Sequence, residues 1–468
     1  MFIQQLYTNC LSEAAYFIES GGEAAIIDPL RDIDAYIKLA AEKKASIKYI
    51  FETHFHADFV SGHLELAKVT GAPIVFGPGT VTRFPVIVAK DREQFSLGDV
   101  TFEVLHTPGH TLESTSYLLK DEQQKDYAVF TGDTLFIGDV GRPDLSSGNL
   151  SSEELAEMMY DSLQNKIIPL ADDVIVYPAH GPGSSCGKNI GPETQSTIGI
   201  QKETNYALKP QSKEDFVKAV TEGLETAPKY FSINAKINQE GYPELASIIK
   251  KGMTALDVPA FKTIAEQENT IIVDTRPASQ FANGFIPGSV FIGLEGRFAE
   301  WAGGLLPFDQ SLLLVTEPGQ EHETIIRLAR VGFSEIAGHL QGGFESWLQA
   351  GEKTDLVIDV DADELAMDIP YDDKMVIVDV RKEIEFGDGH VKDAINLPLS
   401  DLTDPAAIAV IEDNMNAYVH CAGGYRSLIA ISLMKRQGIH NVRNVTGGYA
   451  AIKDQGSIKI EKEESVLN

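Results

Sequence analysis

The sequence predicts an α/β chain of three domains, and three observations predict it. In the N-terminal part, short apolar runs alternate with helical spacing and end in acids or imidazoles, the pattern of a layered α/β domain. A polar, proline-punctuated helical stretch follows at residues 200–250. The rest of the 468 residues contains an internal repeat with an offset of 105 residues. These features divide the chain into residues 1–250, 251–355 and 356–468.

The first domain opens as a hairpin: an apolar run at 15–19, a turn at Gly21-Gly22 and a return at 24–28. Apolar residues at Ile33, Tyr36, Ile37 and Ala40 give residues 32–43 a helical face. Residues 47–51 form a strand that runs straight into Thr53-His-Phe-His-Ala-Asp-Phe59. Further strands fit 73–76, 101–105, 116–119, 127–130 and 174–177, and a helix fits 152–163. Pro210, Pro228 and Pro243 punctuate the helical connector.

In the remainder, Ile271-Ile-Val-Asp274-Thr-Arg276 matches Val376-Ile-Val-Asp379-Val-Arg381. At the same offset Phe281 matches Phe386, Gly284 matches Gly389, and Gly342-Gly343-Phe344 matches Gly447-Gly448-Tyr449. Each copy has an apolar strand before Asp-x-Arg, a helix after it, a second strand (312–315, 417–419) and another helix. Two α/β domains are implied, because a repeated supersecondary unit repeats its fold.

Composition narrows the function classes. Hydrophobic residues make up 43% and charged residues 23% of the chain, ordinary for a globular protein. The net charge of −30 repels phosphate backbones and anionic lipid, so neither nucleic acid nor membrane is an expected partner. Three cysteines, Cys10, Cys186 and Cys421, are too few for a disulfide scaffold and fit a reducing compartment. Without a basic leader or a long apolar run, the expected location is the cytoplasm.

Four strand ends carry potential metal ligands: His54-x-His56-x-Asp58, Thr107-Pro-Gly-His110, Thr131-Gly-Asp133 and Tyr177-Pro-Ala-His180. One such histidine signifies little. Four histidines and two aspartates beside glycines at strand ends point to a shared site, since burying them unpartnered is costly. Imidazole and carboxylate ligands suit zinc or iron. These residues resemble the metallo-β-lactamase fold, an αββα sandwich, in its glyoxalase II and persulfide dioxygenase branch. That family's His-x-His-x-Asp-His motif ends here in Phe59, which cannot ligate, so a second metal loses a donor. The resemblance implies one Fe(2+) per chain, with Zn(2+) the other candidate, held by His54, His110 and Asp133. It leaves His56, Asp58 and His180 to orient ligands or waters, or to supply a ligand of a zinc site. Arg142, in Gly141-Arg-Pro-Asp144, pairs with Asp144 or with substrate carboxylates. Cys186 either accepts sulfur or is an inert thiol; with Arg142 and Tyr177 it completes the substrate-binding candidates.

The second repeat contains His420-Cys421-Ala-Gly-Gly-Tyr-Arg426 between a strand and a helix. Two glycines let backbone N–H groups turn inward as an anion nest, and the helix N-terminus adds positive potential. Both favour a thiolate, the nucleophilic form. Arg426 closes the loop or binds an oxyanion such as sulfite or thiosulfate. The segment resembles the six-residue active loop of rhodaneses, with Cys421 and Arg426 as its catalytic pair. The first repeat places Thr316 or Glu317 at the nucleophile position and resembles a rhodanese without its cysteine, kept as a spacer or docking surface.

The order sandwich, silent rhodanese, active rhodanese resembles bacterial fusion persulfide dioxygenases. It implies O2 and a thiol persulfide (of glutathione, coenzyme A or another bacterial thiol) as substrates. Sulfite and thiosulfate follow as products or sulfur partners, and a homo-oligomer as the assembly. Two other readings are a zinc-dependent, glyoxalase II-like thioester hydrolase fused to a sulfurtransferase, and a non-catalytic binding role for the rhodanese pair.

Overall fold

Two six-stranded sheets form the first domain in the computed structural model, which describes residues 1–145, 150–224, 226–412 and 414–463. In the first sheet, Phe2–Thr8, Glu13–Ser20 and Glu23–Ile27 are antiparallel neighbours. Ser46–Phe51, Ile74–Phe76 and Ile87–Val88 then add in parallel. The second sheet runs Ser196–Thr197, Ile175–Pro178, Asp126–Gly132, Thr115–Lys120, Val100–His106 and Gln94–Leu97. An apolar layer including Tyr16, Phe51, Phe102, Tyr117 and Phe130 lies between their inner faces. Helices Asp34–Lys43 and Ser152–Ser162 pack outside, the latter opened by a Ser151–Glu154 capping box.

The expected hairpin is present, and the strand Phe2–Thr8 that precedes it was not expected from sequence. Its residues are all half-buried and alternate imperfectly, so no clear two-residue period marks it. The helical stretch resolves into Ile198–Thr204, Lys213–Thr221, Tyr230–Glu240 and Leu245–Gly252.

The chain divides into two compact units, residues 1–247 with 326–334 and residues 248–325 with 335–468. The second unit contains two five-stranded parallel sheets of identical strand order. One runs Ala255–Leu256, Ile336–Leu340, Ser311–Val315, Thr270–Asp274, Val290–Phe291. The other runs Ile358–Val360, Val442–Val445, Asn416–His420, Met375–Asp379, Ile395–Asn396. Strand register repeats with the sequence: Asp274 pairs with Val315 as Asp379 pairs with His420. Thr316 therefore occupies the position of Cys421.

The repeated motif has a structural task in both copies. Arg276 Nη2 donates to Asp274 (2.6 Å) and to the Gly284 carbonyl (2.8 Å). Arg381 Nη2 makes the same bonds to Asp379 (2.5 Å) and Gly389 (2.7 Å). Each guanidinium lies over the aromatic ring of the matched pair, Phe344 or Tyr449, at 4.0 and 3.9 Å.

Candidate metal centre and sulfur-transfer loop

His54, His110 and Asp133, the set that the resemblance implies, come together: one ligand atom from each lies within 4.8 Å of the others, and all three residues are buried. Each projects from the loop after a strand, because strand ends of the two sheets meet there. Gly132 permits this approach. It has φ +52, and a Cβ on it would stand 2.6 Å from the Thr53 side chain.

The hydrogen bonds dictate which ring nitrogens are free. His110 Nδ1 lies 2.8 Å from the Arg142 carbonyl, which can only accept, so Nδ1 carries the proton and Nε2 the lone pair. Thr53 Oγ1 donates to Asp28 Oδ2 (2.9 Å), leaving its lone pair for His54 Nδ1–H at 2.9 Å. His54 Nε2 is thus also a lone-pair donor, and burial, aided by His56, keeps the ring well below its ordinary pKa. His54 Nε2 and His110 Nε2 stand 3.7 and 3.4 Å from Asp133 Oδ2. His54 Nε2 and Asp133 Oδ2 are buried without a hydrogen-bond partner, an arrangement that a cation satisfies. Two imidazole nitrogens and one carboxylate oxygen fit iron or zinc.

The other three motif residues border this cluster, and His56 Nδ1, His56 Nε2 and Asp58 Oδ1 are likewise buried without a hydrogen-bond partner. His180 Nδ1 lies 2.7 Å from Asp133 Oδ1 and its Nε2 2.8 Å from Asp58 Oδ2. Burial opposes a charge on this ring, but the two carboxylates hold His180 well above the usual histidine range. Burial likewise pushes Asp133 up, yet His180 and His54 hold it well below the usual carboxylate range. His56 Nε2 faces Asp28 Oδ1 (3.1 Å) and Glu52 Oε2 (3.5 Å), and its ring packs on Phe59 at 4.3 Å. Phe59 is fully buried and carries no donor atom.

Among the substrate candidates, Arg142 grips Asp144 with Nε and Nη2, both at 2.7 Å, and Nη1 reaches the Ser185 carbonyl at 3.3 Å. Of its two expected roles the structure displays the pairing with Asp144, and its carbonyl orients His110. Cys186 Sγ lies beside Asp58 and His180, and burial pushes its thiol well up, which favours the protonated form. The Tyr177 ring stacks on Phe130 at 5.2 Å, placing it in the packing of the sandwich.

Sequence reasoning missed several residues that build this site. Asp28, at φ +50, accepts Thr53 N–H and Oγ1–H and so orients His54 indirectly. Its signal was the one used for Asp133, an acid ending an apolar strand. Glu52 accepts from Ser61 Oγ and faces His63 Nδ1 at 3.2 Å, and burial holds its carboxyl well above the usual range. Asn238, from the helical stretch, donates to the His56 and Phe59 carbonyls, both at 2.8 Å, and accepts from Ser61 N–H at 2.9 Å. No local pattern marks it, because its partners lie far away in sequence.

In the second unit, Cys421 is buried at the end of Asn416–His420, and the Gly424 N–H donates to its sulfur at 3.1 Å. Gly424 has φ +102, and the helix Tyr425–Arg436 starts directly after it. Arg426 binds Glu385 through two hydrogen bonds of 2.6 and 2.8 Å, so it closes the loop. The pair holds the Glu385 carboxyl below its ordinary value. Glu385 was another omission. The repeat contained its signal: the silent copy has Gln280 and Glu321 where this one has Glu385 and Arg426, so both partners are absent together.

A sandwich bearing a histidine–carboxylate cluster, followed by two parallel-sheet repeats, defines a metal-binding enzyme with appended α/β modules. The metallo-beta-lactamase superfamily model matches residues 8–180, and the rhodanese-like domain model matches residues 257–350 and 361–455. A hydroxyacylglutathione hydrolase from Tolumonas auensis is 37% identical over 222 residues, covering 42% of this chain and 80% of that protein. The crystal structure of a metallo-beta-lactamase from Staphylococcus aureus subsp. aureus COL is 32% identical with a TM-score of 0.64, covering 73% of this chain and 98% of its own. That of ETHE1 from Myxococcus xanthus is 29% identical with a TM-score of 0.44, covering 51% and 98%. The chain belongs to the metallo-beta-lactamase superfamily and has two rhodanese-like domains after the superfamily domain. No helix among the described residues is long and apolar enough to cross a membrane.

Proposed function

We propose that the chain is a persulfide dioxygenase coupled to a rhodanese-type sulfur transfer. The observation that carries this reading is the donor set: His54, His110 and Asp133 converge, and the motif whose resemblance implies a second metal ends in Phe59, which cannot ligate. Two imidazoles and one carboxylate leave coordination positions open, as in non-haem iron oxygenases. Bound there, Fe(II) would supply oxygen activation and hold the substrate sulfur close to it.

The chain's own residues prepare that chemistry. Asp28 through Thr53, and Arg142 through its carbonyl, present the lone pairs of His54 and His110 toward Asp133. His180 fixes the other carboxylate oxygen of Asp133. The net reaction is RSSH + O2 + H2O → RSH + H2SO3. At Cys421, the thiolate takes the outer sulfur of a second RSSH and releases RS⁻, and sulfite then attacks the outer sulfur of the resulting cysteine persulfide. The S–S bond breaks, thiosulfate leaves and the cysteine thiolate is restored. The Gly424 N–H, 3.1 Å from the sulfur, is placed to stabilise that thiolate.

The test is oxygen uptake by anaerobically prepared, Fe(II)-loaded protein given glutathione persulfide, with His110→Ala and Cys421→Ser beside it. Uptake lost in the first variant and retained in the second, with sulfur transfer lost only in the second, supports the reading. Absence of uptake with several thiol persulfides despite bound iron refutes it. A second reading, a zinc thioester hydrolase, has one observation in its favour: the Tolumonas auensis relative is a hydroxyacylglutathione hydrolase. Thioester cleavage abolished by chelation, without oxygen uptake, selects it.

A further inference from the structure

The silent repeat has Thr316 where a sulfur carrier needs cysteine, yet it retains the whole Asp274–Arg276–Gly284 arrangement. What that arrangement supports is the segment after Val290–Phe291. The Ile292 N–H donates to the Asp274 carbonyl (3.0 Å) and the Leu294 N–H to the Thr275 carbonyl (3.1 Å). Gly293, held between them, accepts a hydrogen bond of 3.1 Å from the Tyr425 hydroxyl. The Tyr425 ring meets the edge of Phe291 at 5.6 Å.

Tyr425 is the residue after Gly424 and the first of the helix whose N-terminus faces Cys421. Further along this helix, Ser432 Oγ accepts the Phe291 N–H (3.0 Å) and Arg436 Nη1 reaches the Gly288 carbonyl (3.0 Å). Lys435 binds Asp355 at 2.8 Å, and Asp355 is itself paired to Phe285. Residues 425, 432 and 436 recur on one helix face, so that face is fastened to the silent repeat. This accounts for the burial of every residue from Ser427 to Lys435, which one sheet alone would leave half exposed.

The loop is held at its ends, by the Tyr449 N–H on the Cys421 carbonyl and by Arg426 on Glu385, while its middle supplies little restraint. Ala422 and Gly423 are exposed, and Gly424 adopts a left-handed conformation. A glycine-rich loop loses much conformational entropy on ordering, so the direction of the N–H groups around Cys421 depends on what anchors its far end. We infer that the silent repeat is a positioning element for the sulfur-transfer loop, acting through the Tyr425–Gly293 contact. This rests on the reading of Cys421 as the sulfur carrier. Tyr425 is a positioning residue, since it acts on the sulfur through the Gly424 peptide.

The experiment uses the full chain with Tyr425→Phe, Gly293→Ala and the double variant. Tyr425→Phe removes only the hydroxyl; a Cβ at Gly293 would stand 3.1 Å from that hydroxyl and crowd it. Tyr418→Phe is the control, because it removes a tyrosine hydroxyl bonded to Asp368 (2.7 Å) in the same repeat. The readouts are the iodoacetamide alkylation rate of Cys421, followed on its peptide, and kcat and KM for sulfur transfer from thiosulfate to cyanide. The expected result is an alkylation rate and kcat about fivefold lower in each single variant, the effect of one hydrogen bond. KM should be little changed, the double variant no worse than either single one, and Tyr418→Phe unaffected. Wild-type alkylation in both single variants, an equal loss in Tyr418→Phe, or additive losses in the double variant would overturn the inference. Wild-type protein that is alkylated at Cys421 but transfers no sulfur would refute the carrier reading instead, leaving the positioning result to stand on alkylation alone.

Discussion

Gly448→Ala tests how tightly the fold constrains the Cys421 loop. Gly448 begins the helix Gly448–Gln455 at φ +57, and a Cβ there would lie 2.4 Å from the Cys421 carbonyl oxygen and 2.9 Å from backbone atoms of Ala422. That oxygen also accepts the Tyr449 N–H at 2.7 Å, so it has little room to move. It must retreat by roughly 1 Å to restore an ordinary contact. Forcing alanine into the left-handed region costs about 1–2 kcal/mol. Overpacking against backbone adds about 1–3 kcal/mol. The expected destabilisation is therefore about 2–5 kcal/mol, with sulfur transfer largely lost because the displaced carbonyl belongs to the nucleophile. The matched change in the silent repeat, Gly343→Ala, begins from φ +62 but meets the Thr316 carbonyl at 3.0 Å and Pro318 at an ordinary 3.9 Å. It carries the same backbone penalty and a milder clash, and should leave sulfur transfer near the wild-type level. Calorimetric unfolding together with the thiosulfate–cyanide assay reads both quantities. Wild-type transfer in Gly448→Ala, or equal loss of transfer in Gly343→Ala, would refute the reasoning.

Two further predictions concern the metal centre and the loop's ion pair. Phe59→His puts an imidazole where the phenyl ring packs on His56; if the reading of one metal per chain holds, anaerobic reconstitution followed by elemental analysis should show metal content rising from about one to about two per chain. A ratio unchanged from wild type would mean that Phe59 does not set the nuclearity. Glu385 is held below its ordinary pKa by Arg426. A depressed carboxylate contributes stability above its unfolded-state pKa and loses it as pH falls through the folded value. The stability difference between wild type and Glu385→Gln, measured by denaturant titration, should be present at neutral pH and shrink below about pH 4. A difference that is flat with pH, or grows in acid, would contradict the assignment.

Much of this protein was legible in one dimension because its informative features are local or periodic. The strand-end motifs place ligand types within a few residues of a turn, and the register of Asp274 with Val315 and of Asp379 with His420 follows the offset of 105 residues visible in the sequence. The Cys421 loop is contiguous, so its glycines, cysteine and arginine announce one another. By itself the sequence thus determined the fold class, the repeat and the pool of histidines and aspartates at strand ends, from which the family resemblance singled out His54, His110 and Asp133.

Tertiary structure decided what those residues do. Whether Arg142 faces a substrate or Asp144, whether His56 turns toward Asp28, and which ring nitrogen of His110 is free all depend on partners that no spacing rule relates. Asn238 reaches the His56 loop across 182 residues, and Tyr425 reaches Gly293 across 132. Hydrogen bonds select by distance and angle in space, and chain separation leaves no periodic trace of them.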